Sequence, residues 1–151
     1  MKYKMKFDRS RCIACGACTV ACMDKFGIEA RRAEKIPRWC AVTEIRQYAD
    51  GVFGPNPFSC WHCEDTPCVK ACRFGAMHID EKTGFAVCDT TKCIGCRCCV
   101  SGCPIKAPQV SYDTGKIQKC DGCMDRLAQG LEPLCVKVCP MRALSIEEFV
   151  E

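Results

Sequence analysis

Cysteine spacing is the strongest constraint on the fold of this chain. Nineteen of its 151 residues are cysteines, and sixteen of these form four quartets with short, repeated gaps. The most regular quartet begins at Cys93 and ends at Cys103, followed by Pro104, with the spacing C-x2-C-x2-C-x3-C-P. Because cysteine usage is far above the ordinary level, cysteine chemistry must shape the fold.

This spacing is that of a bacterial ferredoxin run, in which thiolates hold a [4Fe–4S] cluster. Three cysteines, each separated from the next by two residues, can wrap one loop around a cubane. The fourth cysteine reaches a second cluster. Each run therefore needs a partner run elsewhere in the chain. The four quartets are Cys12, Cys15, Cys18 and Cys22; Cys60, Cys63, Cys68 and Cys72; Cys93, Cys96, Cys99 and Cys103; and Cys120, Cys123, Cys135 and Cys139.

Zinc and disulfides are the competing explanations for so many cysteines. A single C-x2-C pair also fits zinc, but a third cysteine at the same spacing is superfluous in a zinc ribbon. Residues 1–8 contain no apolar segment of a secretory signal, and no twin-arginine signal precedes the first quartet. We therefore expect a cytoplasmic chain, where metal binding is favoured over disulfides. Export of the folded chain with a twin-arginine partner is the alternative location.

The net charge argues against a nucleic-acid surface. The formal charge of +4 leaves out ligating thiolates. Four oxidised cores of about +2 each, with sixteen thiolates, add roughly −8 and make the loaded protein acidic. Four basic residues lie close to predicted ligands in the chain and are interpreted as local compensation for cluster charge, with ordinary solvated side chains as the alternative. They are Lys92, Arg97, Lys106 and Lys119.

Short strands and turns are predicted between the quartets. Gly54-Pro55-Asn56-Pro57 has the chemistry of a turn, and a helix over residues 124–129 should end at Gly130. Few long apolar runs exist, so cluster ligation would have to supply much of the folding free energy. Strands are predicted at residues 3–7, 39–45, 77–79, 85–87, 110–112 and 144–146.

Three cysteines lie outside the quartets. Cys40 and Cys88 are interpreted as small, buried, inert hydrophobic residues. Cys98 adjoins Cys99 and is an alternative ligand, although the spacing of the quartet favours Cys99.

The remaining side chains do not suggest catalysis. Nothing resembles a nucleophile–base constellation, and no dinucleotide or P-loop glycine motif is present. His62, between two predicted ligands, is expected to pack or to form a hydrogen bond. Trp39 and Trp61 are interpreted as shields that exclude water from a cluster or a packing face.

Several longer motifs go beyond generic ferredoxin spacing. They are Cys60-Trp61-His62-Cys63-Glu64-Asp65, Cys93-Ile94-Gly95-Cys96-Arg97, Ala107-Pro108-Gln109, Lys119-Cys120-Asp121-Gly122-Cys123, Asp125-Arg126-Leu127 and Cys139-Pro140-Met141-Arg142-Ala143-Leu144. Through these motifs nearly the whole chain resembles the iron–sulfur electron-transfer subunits of the dimethyl sulfoxide reductase family of molybdopterin enzymes. The chain departs from that family at Arg73, where proline is usual, at Ile105-Lys106, where Tyr-Gly is common, and at Cys98, where an aromatic is usual.

The resemblance implies an α+β fold of tandem, nested ferredoxin-like domains, small and loop-rich, around four [4Fe–4S] clusters in a line. An outer domain would comprise residues 1–56 and 109–151, with an insertion at about 23–56, and an inner domain residues 57–108. Spacing alone also permits sequential pairing of the quartets. The implied ligand sets are Cys12, Cys15, Cys18 and Cys139 for cluster 1; Cys22, Cys120, Cys123 and Cys135 for cluster 2; Cys60, Cys63, Cys68 and Cys103 for cluster 3; and Cys72, Cys93, Cys96 and Cys99 for cluster 4.

The resemblance also implies a function. The chain would be a non-catalytic subunit that relays single electrons to or from a large molybdopterin subunit carrying molybdenum or tungsten, often with a membrane anchor subunit. No nucleic-acid partner is expected, and no apolar run approaches the roughly 20 residues of a membrane span. A free-standing polyferredoxin carrier and a structural zinc protein are the alternatives.

Overall fold

The computed structural model describes residues 2–27, 40–51 and 53–149. These residues form short strands and short helices joined by loops, which confirms a mixed α and β fold. A 3₁₀ turn at Arg9–Arg11 precedes the first quartet. The strands are β1 (Lys2–Phe7), β2 (Cys40–Gln47), β3 (Phe53–Ser59), β4 (Met77–Ile79), β5 (Ala86–Cys88), β6 (Gln109–Val110), β7 (Ile117–Gln118) and β8 (Leu144–Phe149). The helices are α1 (Ala17–Lys25), α2 (Pro67–Lys70), α3 (Cys98–Gly102), α4 (Met124–Leu127) and α5 (Leu134–Lys137).

The two ends of the described chain pair with each other. Strand β1 runs antiparallel to β8, with Phe7 opposite Leu144 and Lys2 opposite Phe149. The strands predicted at residues 3–7 and 144–146 are confirmed, and the second is longer than predicted. Because Cys12 follows β1 and Cys139 precedes β8, this pairing brings the first quartet beside the end of the fourth.

Strands β2 and β3 form a separate antiparallel ribbon with a register shift between Val42 and Glu44. The predicted strand at 39–45 is confirmed from Cys40 onwards, whereas Trp39 lies outside the described residues. The predicted turn at residues 54–57 is wrong, because these residues lie inside β3. Proline cannot donate to a strand ladder, but both strands of a two-stranded ribbon are edges, where proline is tolerated.

One small hairpin follows the second quartet and another follows the third. Strand β4 pairs with β5, and β6 with β7, both antiparallel. The strands predicted at 77–79, 85–87 and 110–112 are confirmed within one or two residues. Phe85, directly before β5, is completely buried.

Cysteines of the quartets make up much of the core. One buried cluster contains Cys68, Cys93 and Cys99 together with small or medium apolar residues such as Ala76 and Ile117. Helix α1 packs against α5, and α2 against α3. The helices therefore associate first quartet with fourth and second with third. Within the described residues no helix is long and apolar enough to cross a bilayer.

Candidate metal centres

A backbone conformation repeats in all four quartets. The residue two positions after the first cysteine has a left-handed backbone each time: Ala14 at φ 55°, His62 at 46°, Gly95 at 75° and Gly122 at 71°. Left-handed residues within a loop turn successive N–H groups into a concavity that binds anions. Each loop is thereby shaped to surround a negatively charged group such as a thiolate-ligated cluster.

The third cysteine of each quartet lies at the start of a short helix. In three quartets the residue two positions before it is a left-handed helix N-cap: Gly16 before Cys18, Thr66 before Cys68 and Arg97 before Cys99. In the fourth quartet the N-cap is the buried Pro133 with extended backbone. The predicted helix after Cys123 and its stop near Gly130 are confirmed as α4.

The fourth cysteine is followed by a left-handed residue and an inward N–H group in three quartets. Backbone N–H groups donate to its sulfur from Met77 to Cys72 at 3.3 Å, from Ala107 to Cys103 at 3.4 Å and from Ala143 to Cys139 at 3.3 Å. Such donors stabilise a thiolate. The first quartet differs, because α1 continues through Cys22 and Met23 to Lys25.

The first candidate site is a cavity between the two ends of the chain. Cys12, Cys15, Cys18 and Cys139 all line it. Apolar side chains, including Ile13, Met141 and Leu144, complete the walls. These are the four residues predicted for cluster 1, drawn from the first and fourth quartets.

The second site lies around Cys22, which is only 7% exposed. Burial raises the pKa of the Cys22 thiol to about 12, and the negative charges of Cys135 and Cys123 add to this rise. Burial likewise raises the pKa of Cys120, with a contribution from Cys135. The four residues predicted for cluster 2 therefore lie within electrostatic range of one another.

The third site joins the second and third quartets. Burial raises the pKa of the Cys63 and Cys68 thiols, and in both cases Cys60 and Cys103 contribute to the rise. Cys103 follows α3, which packs against the helix that carries Cys68. The cysteines predicted for cluster 3 are thus neighbours in space.

The fourth site is a cavity that also joins the second and third quartets. Its walls include all four cysteines predicted for cluster 4, together with Cys88 and Cys98. The N–H group of Ile117 donates to the sulfur of Cys93 at 3.3 Å. Cys99 is 5% exposed and belongs to the core, whereas Cys98 is exposed beside Cys96. Burial therefore distinguishes Cys99 from Cys98, and the choice of Cys99 as the ligand stays a prediction. The predicted ligands lining this cavity are Cys72, Cys93, Cys96 and Cys99.

Cys40 is buried as predicted, at 6% exposure, but its surroundings are not inert. It belongs to a buried cluster against which Cys18 and Cys135 pack, and its interactions with Cys135 and then Cys18 raise the pKa of its thiol. Cys40 therefore lies between the first and second sites. Cys88 is only partly buried, so the prediction of a buried residue is wrong there, because it lines the wall of the fourth cavity.

The four basic residues near predicted ligands differ in their exposure to solvent. Lys92, Arg97 and Lys106 are exposed, which confirms the solvated alternative for them. Lys119 is only 5% exposed. Sequence spacing alone did not distinguish it, because all four are close to a cysteine in the chain.

The predictions for the aromatic residues have mixed outcomes. The ring of His62 packs on that of Phe85, with centroids 4.1 Å apart, which confirms a packing role. Its two buried ring nitrogens have no hydrogen-bond partner among the described residues. Trp61 is 61% exposed, so the prediction that it shields a cluster is wrong for this chain by itself. It lies between the predicted ligand Cys60 and His62, whose backbone is left-handed at φ 46°.

The donor sets fit iron–sulfur cubanes better than single ions. Zinc requires four ligands at about 2.0–2.3 Å around one ion. In the described part of the chain, no three His, Cys, Asp or Glu side chains converge closely enough to hold such an ion. A cubane separates its thiolates by the width of its core, and its iron relieves the repulsion that raises the thiol pKa values. The unpaired nitrogens of His62 also suit a site whose sulfur atoms accept hydrogen bonds.

Comparisons with known proteins agree with this chemistry. Residues 52–149 match a family model described as a 4Fe-4S dicluster domain, and residues 3–24 match a 4Fe-4S binding domain. The sequence is 41% identical to the B subunit of the anaerobic dimethyl sulfoxide reductase of Escherichia coli (strain K12), across 95% of this chain and 72% of that protein. It is 38% identical to the thiosulfate reductase electron transfer subunit PhsB of Salmonella typhi, across 99% and 78%. It is 37% identical to the B subunit of the polysulfide reductase of Wolinella succinogenes, across 98% and 77%.

The match to the dicluster model covers more than half of the chain, and the relatives are matched over most of their own length. The resemblance inferred from the cysteine motifs is therefore confirmed. The chain belongs to the non-catalytic iron–sulfur electron-transfer subunits of the molybdopterin oxidoreductase family.

Proposed function

We propose that this chain relays single electrons through four [4Fe–4S] clusters between a molybdopterin catalytic subunit and a second redox partner. The observation that supports the proposal is that cysteines of the first and fourth quartets line one cavity and cysteines of the second and third quartets line another. Each cubane supplies a one-electron couple when bound. The residues of the chain hold it, exclude water from it and donate hydrogen bonds to its sulfur ligands.

Nested pairing of the quartets is part of this proposal. It is supported by the pairing of β1 with β8 and by the packing of α1 on α5 and of α2 on α3. It is also supported by the cavity that Cys139 shares with Cys12 and by the cavity that Cys72 shares with Cys93. We accordingly propose a discontinuous outer domain, residues 1–56 and 109–151, around an inner domain, residues 57–108.

Three junctions support a linear order of the sites. Cys18 of the first site and Cys135 of the second both pack against the buried cluster that contains Cys40. The thiolate of Cys60, in the third site, contributes to the raised pKa of Cys120 in the second. The buried core that contains Cys68 of the third site also contains ligands of the fourth.

The ends of this line are open to solvent. Among the sixteen predicted ligands, all within the described part of the chain, only Cys15 and Cys96 are exposed. They belong to the first and fourth sites, and each lies near an exposed isoleucine, Ile13 at 60% and Ile94 at 63%. An exposed ligand brings a cluster close to a docked partner, so we propose that electrons enter and leave at these ends.

The partner is inferred from the named relatives, which are subunits of dimethyl sulfoxide, thiosulfate and polysulfide reductases. We propose a large catalytic subunit with molybdenum or tungsten, and a membrane anchor subunit as a third component. The cytoplasmic location stays a prediction.

Purification from the native source tests the proposal. We expect about 16 iron atoms and 16 acid-labile sulfides per chain, the content of four cubanes. The brown protein should co-purify with a molybdopterin subunit. Isolation of the iron-loaded chain alone, at its own mass of 16.8 kDa, would support the free carrier instead. A colourless protein containing zinc would exclude both electron-transfer functions.

A further inference from the structure

Lys119 is a buried cation at the junction of two candidate sites. Its side-chain nitrogen donates to the backbone carbonyl oxygen of Ala86, to that of Cys120 at 2.8 Å and to the sulfur of Cys60 at 3.5 Å. Cys60 belongs to the third site and Cys120 to the second. The ammonium group is therefore held by two fixed carbonyls beside a predicted ligand of cluster 3.

The charge of this ammonium requires a counter-charge. A buried charge is costly unless it is paired. No carboxylate forms an ion pair with Lys119 within residues 2–27, 40–51 and 53–149, whereas the exposed Lys92 has Asp89 at 3.7 Å. Among its hydrogen-bond partners in the described part of the chain, only the sulfur of Cys60 would become anionic, through cluster ligation. The negative charge that balances it must then come from the sites on either side.

The field of Lys119 reaches several members of both sites. It opposes the rise in pKa that burial causes at Cys68 and at Cys120. It also adds to the effect of burial in lowering the pKa of His62. A point charge in a poorly solvated junction acts over such distances more strongly than one in water.

We propose that Lys119 is a positioning residue that stabilises the reduced states of clusters 2 and 3, and so makes the middle of the relay easier to reduce. Reduction adds one electron, and hence one negative charge, to a cluster, and no bond breaks. A fixed cation favours the more negative state of its neighbour. This inference depends on the ligand sets proposed above.

The test is a redox titration followed by electron paramagnetic resonance on the full chain in its native complex. In Lys119→Met we expect a tenfold or larger fall in the equilibrium constant for reduction of two of the four clusters, about 59 mV for a one-electron couple. Lys119→Arg keeps the charge and should restore most of the shift. Lys92→Met is the matched control, because Lys92 also precedes a predicted ligand but is solvated, and it should leave all four potentials unchanged.

Two results would overturn the inference. One is a Lys119→Met protein with full iron content and four unchanged potentials, and the other is an equal shift of all four clusters. The iron content of the wild-type protein distinguishes failure of this inference from failure of the proposed function. A wild-type chain without four cubanes would contradict the proposed function.

A spectroscopic measurement keeps the test decisive if Lys119→Met loses its clusters. In protein labelled with ¹⁵N-lysine, the reduced clusters should show a weak ¹⁵N hyperfine coupling that disappears in Lys119→Arg. A wild-type protein with four cubanes and no such coupling would overturn the inference without any need for the methionine variant.

Discussion

The ammonium group of Lys25 donates to both carboxylate oxygens of Asp125, at 2.7 and 2.6 Å. Lys25 ends α1, which carries the first quartet, and Asp125 lies in α4, within the fourth. The ion pair thus joins parts of the chain that lie one hundred residues apart. It supports the same association of first and fourth quartets as the terminal strands.

We expect Asp125→Asn to lower the stability of the loaded protein by about 0.2–1 kcal/mol, the range for ion pairs exposed to solvent. The hydrogen bond from Lys25 lowers the pKa of Asp125. The stabilisation is therefore present above the unfolded-state pKa of about 3.9 and is lost as pH falls through the folded-state value. Unfolding of wild type and Asp125→Asn compared between pH 7 and pH 4 should show a constant difference that shrinks only at the acid end. A difference that disappears near neutral pH would contradict the assignment.

Cys139→Ser should remove the cluster of Cys12, Cys15 and Cys18. Iron content is expected to fall by about four atoms per chain. Adding Cys12→Ser should cause no further loss, because both ligands serve one cluster. Adding Cys120→Ser should remove a second cluster. If the Cys139 and Cys120 substitutions together remove only one, the crossed pairing is wrong.

Cys98→Ala and Cys99→Ala should differ in iron content. Cys99 is buried within the cysteine-rich core, so its loss should remove cluster 4. Cys98 is exposed, and its replacement should leave the iron content of the wild type. Iron content, sulfide content and the spectrum of the reduced protein, measured for both variants, show which of the two cysteines cluster 4 needs. Equal loss in both variants would mean that Cys98 is also needed.

Gly122→Ala should be strongly destabilising. Its backbone is left-handed, at φ 71°, and an added Cβ would meet the buried ring of Phe85 at 2.2 Å. Left-handed strain costs about 1–2 kcal/mol, and overpacking adds about 1–3 kcal/mol. Gly130→Ala is the matched control, because Gly130 has φ 71° as well but nothing within 4 Å. Thermal loss of the cluster absorbance should show a clearly larger shift for Gly122→Ala, and equal shifts would exclude the steric contribution.

Lys106→Gly should stabilise the protein. Lys106 is exposed with φ 56°, at a position where the family resemblance indicates a common glycine. Relief of left-handed strain is worth about 1 kcal/mol, which corresponds to a rise in melting temperature of about 2–4 °C for a chain of this size. Lys106→Ala removes the same charge but keeps the strain, so it should give no gain. A similar gain in stability in both variants would mean that loss of the lysine charge, and not relief of backbone strain, is the cause.

Local patterns predicted most of the regular structure. Alternation around Tyr3 and Met5, the hairpin after Met77 and the helix stop at Gly130 all depend on neighbours in the chain, and all are present in the structure. The prediction of a turn at residues 54–57 was wrong, because both strands of the β2–β3 ribbon are edge strands and can contain proline. The prediction that Trp61 shields a cluster was wrong, because the direction of its side chain depends on the conformation of the loop that carries it.

The sequence by itself determined the chemistry, since cysteine type and spacing specify which metal group can be bound. It also identified the family, because the motifs around the cysteines are specific. Only the tertiary structure showed which sites are neighbours, that Cys40 and Lys119 lie at their junctions and that Cys15 and Cys96 face solvent. These relations depend on contacts between residues far apart in the chain, and such contacts exist only after β1 meets β8 and the helices pack.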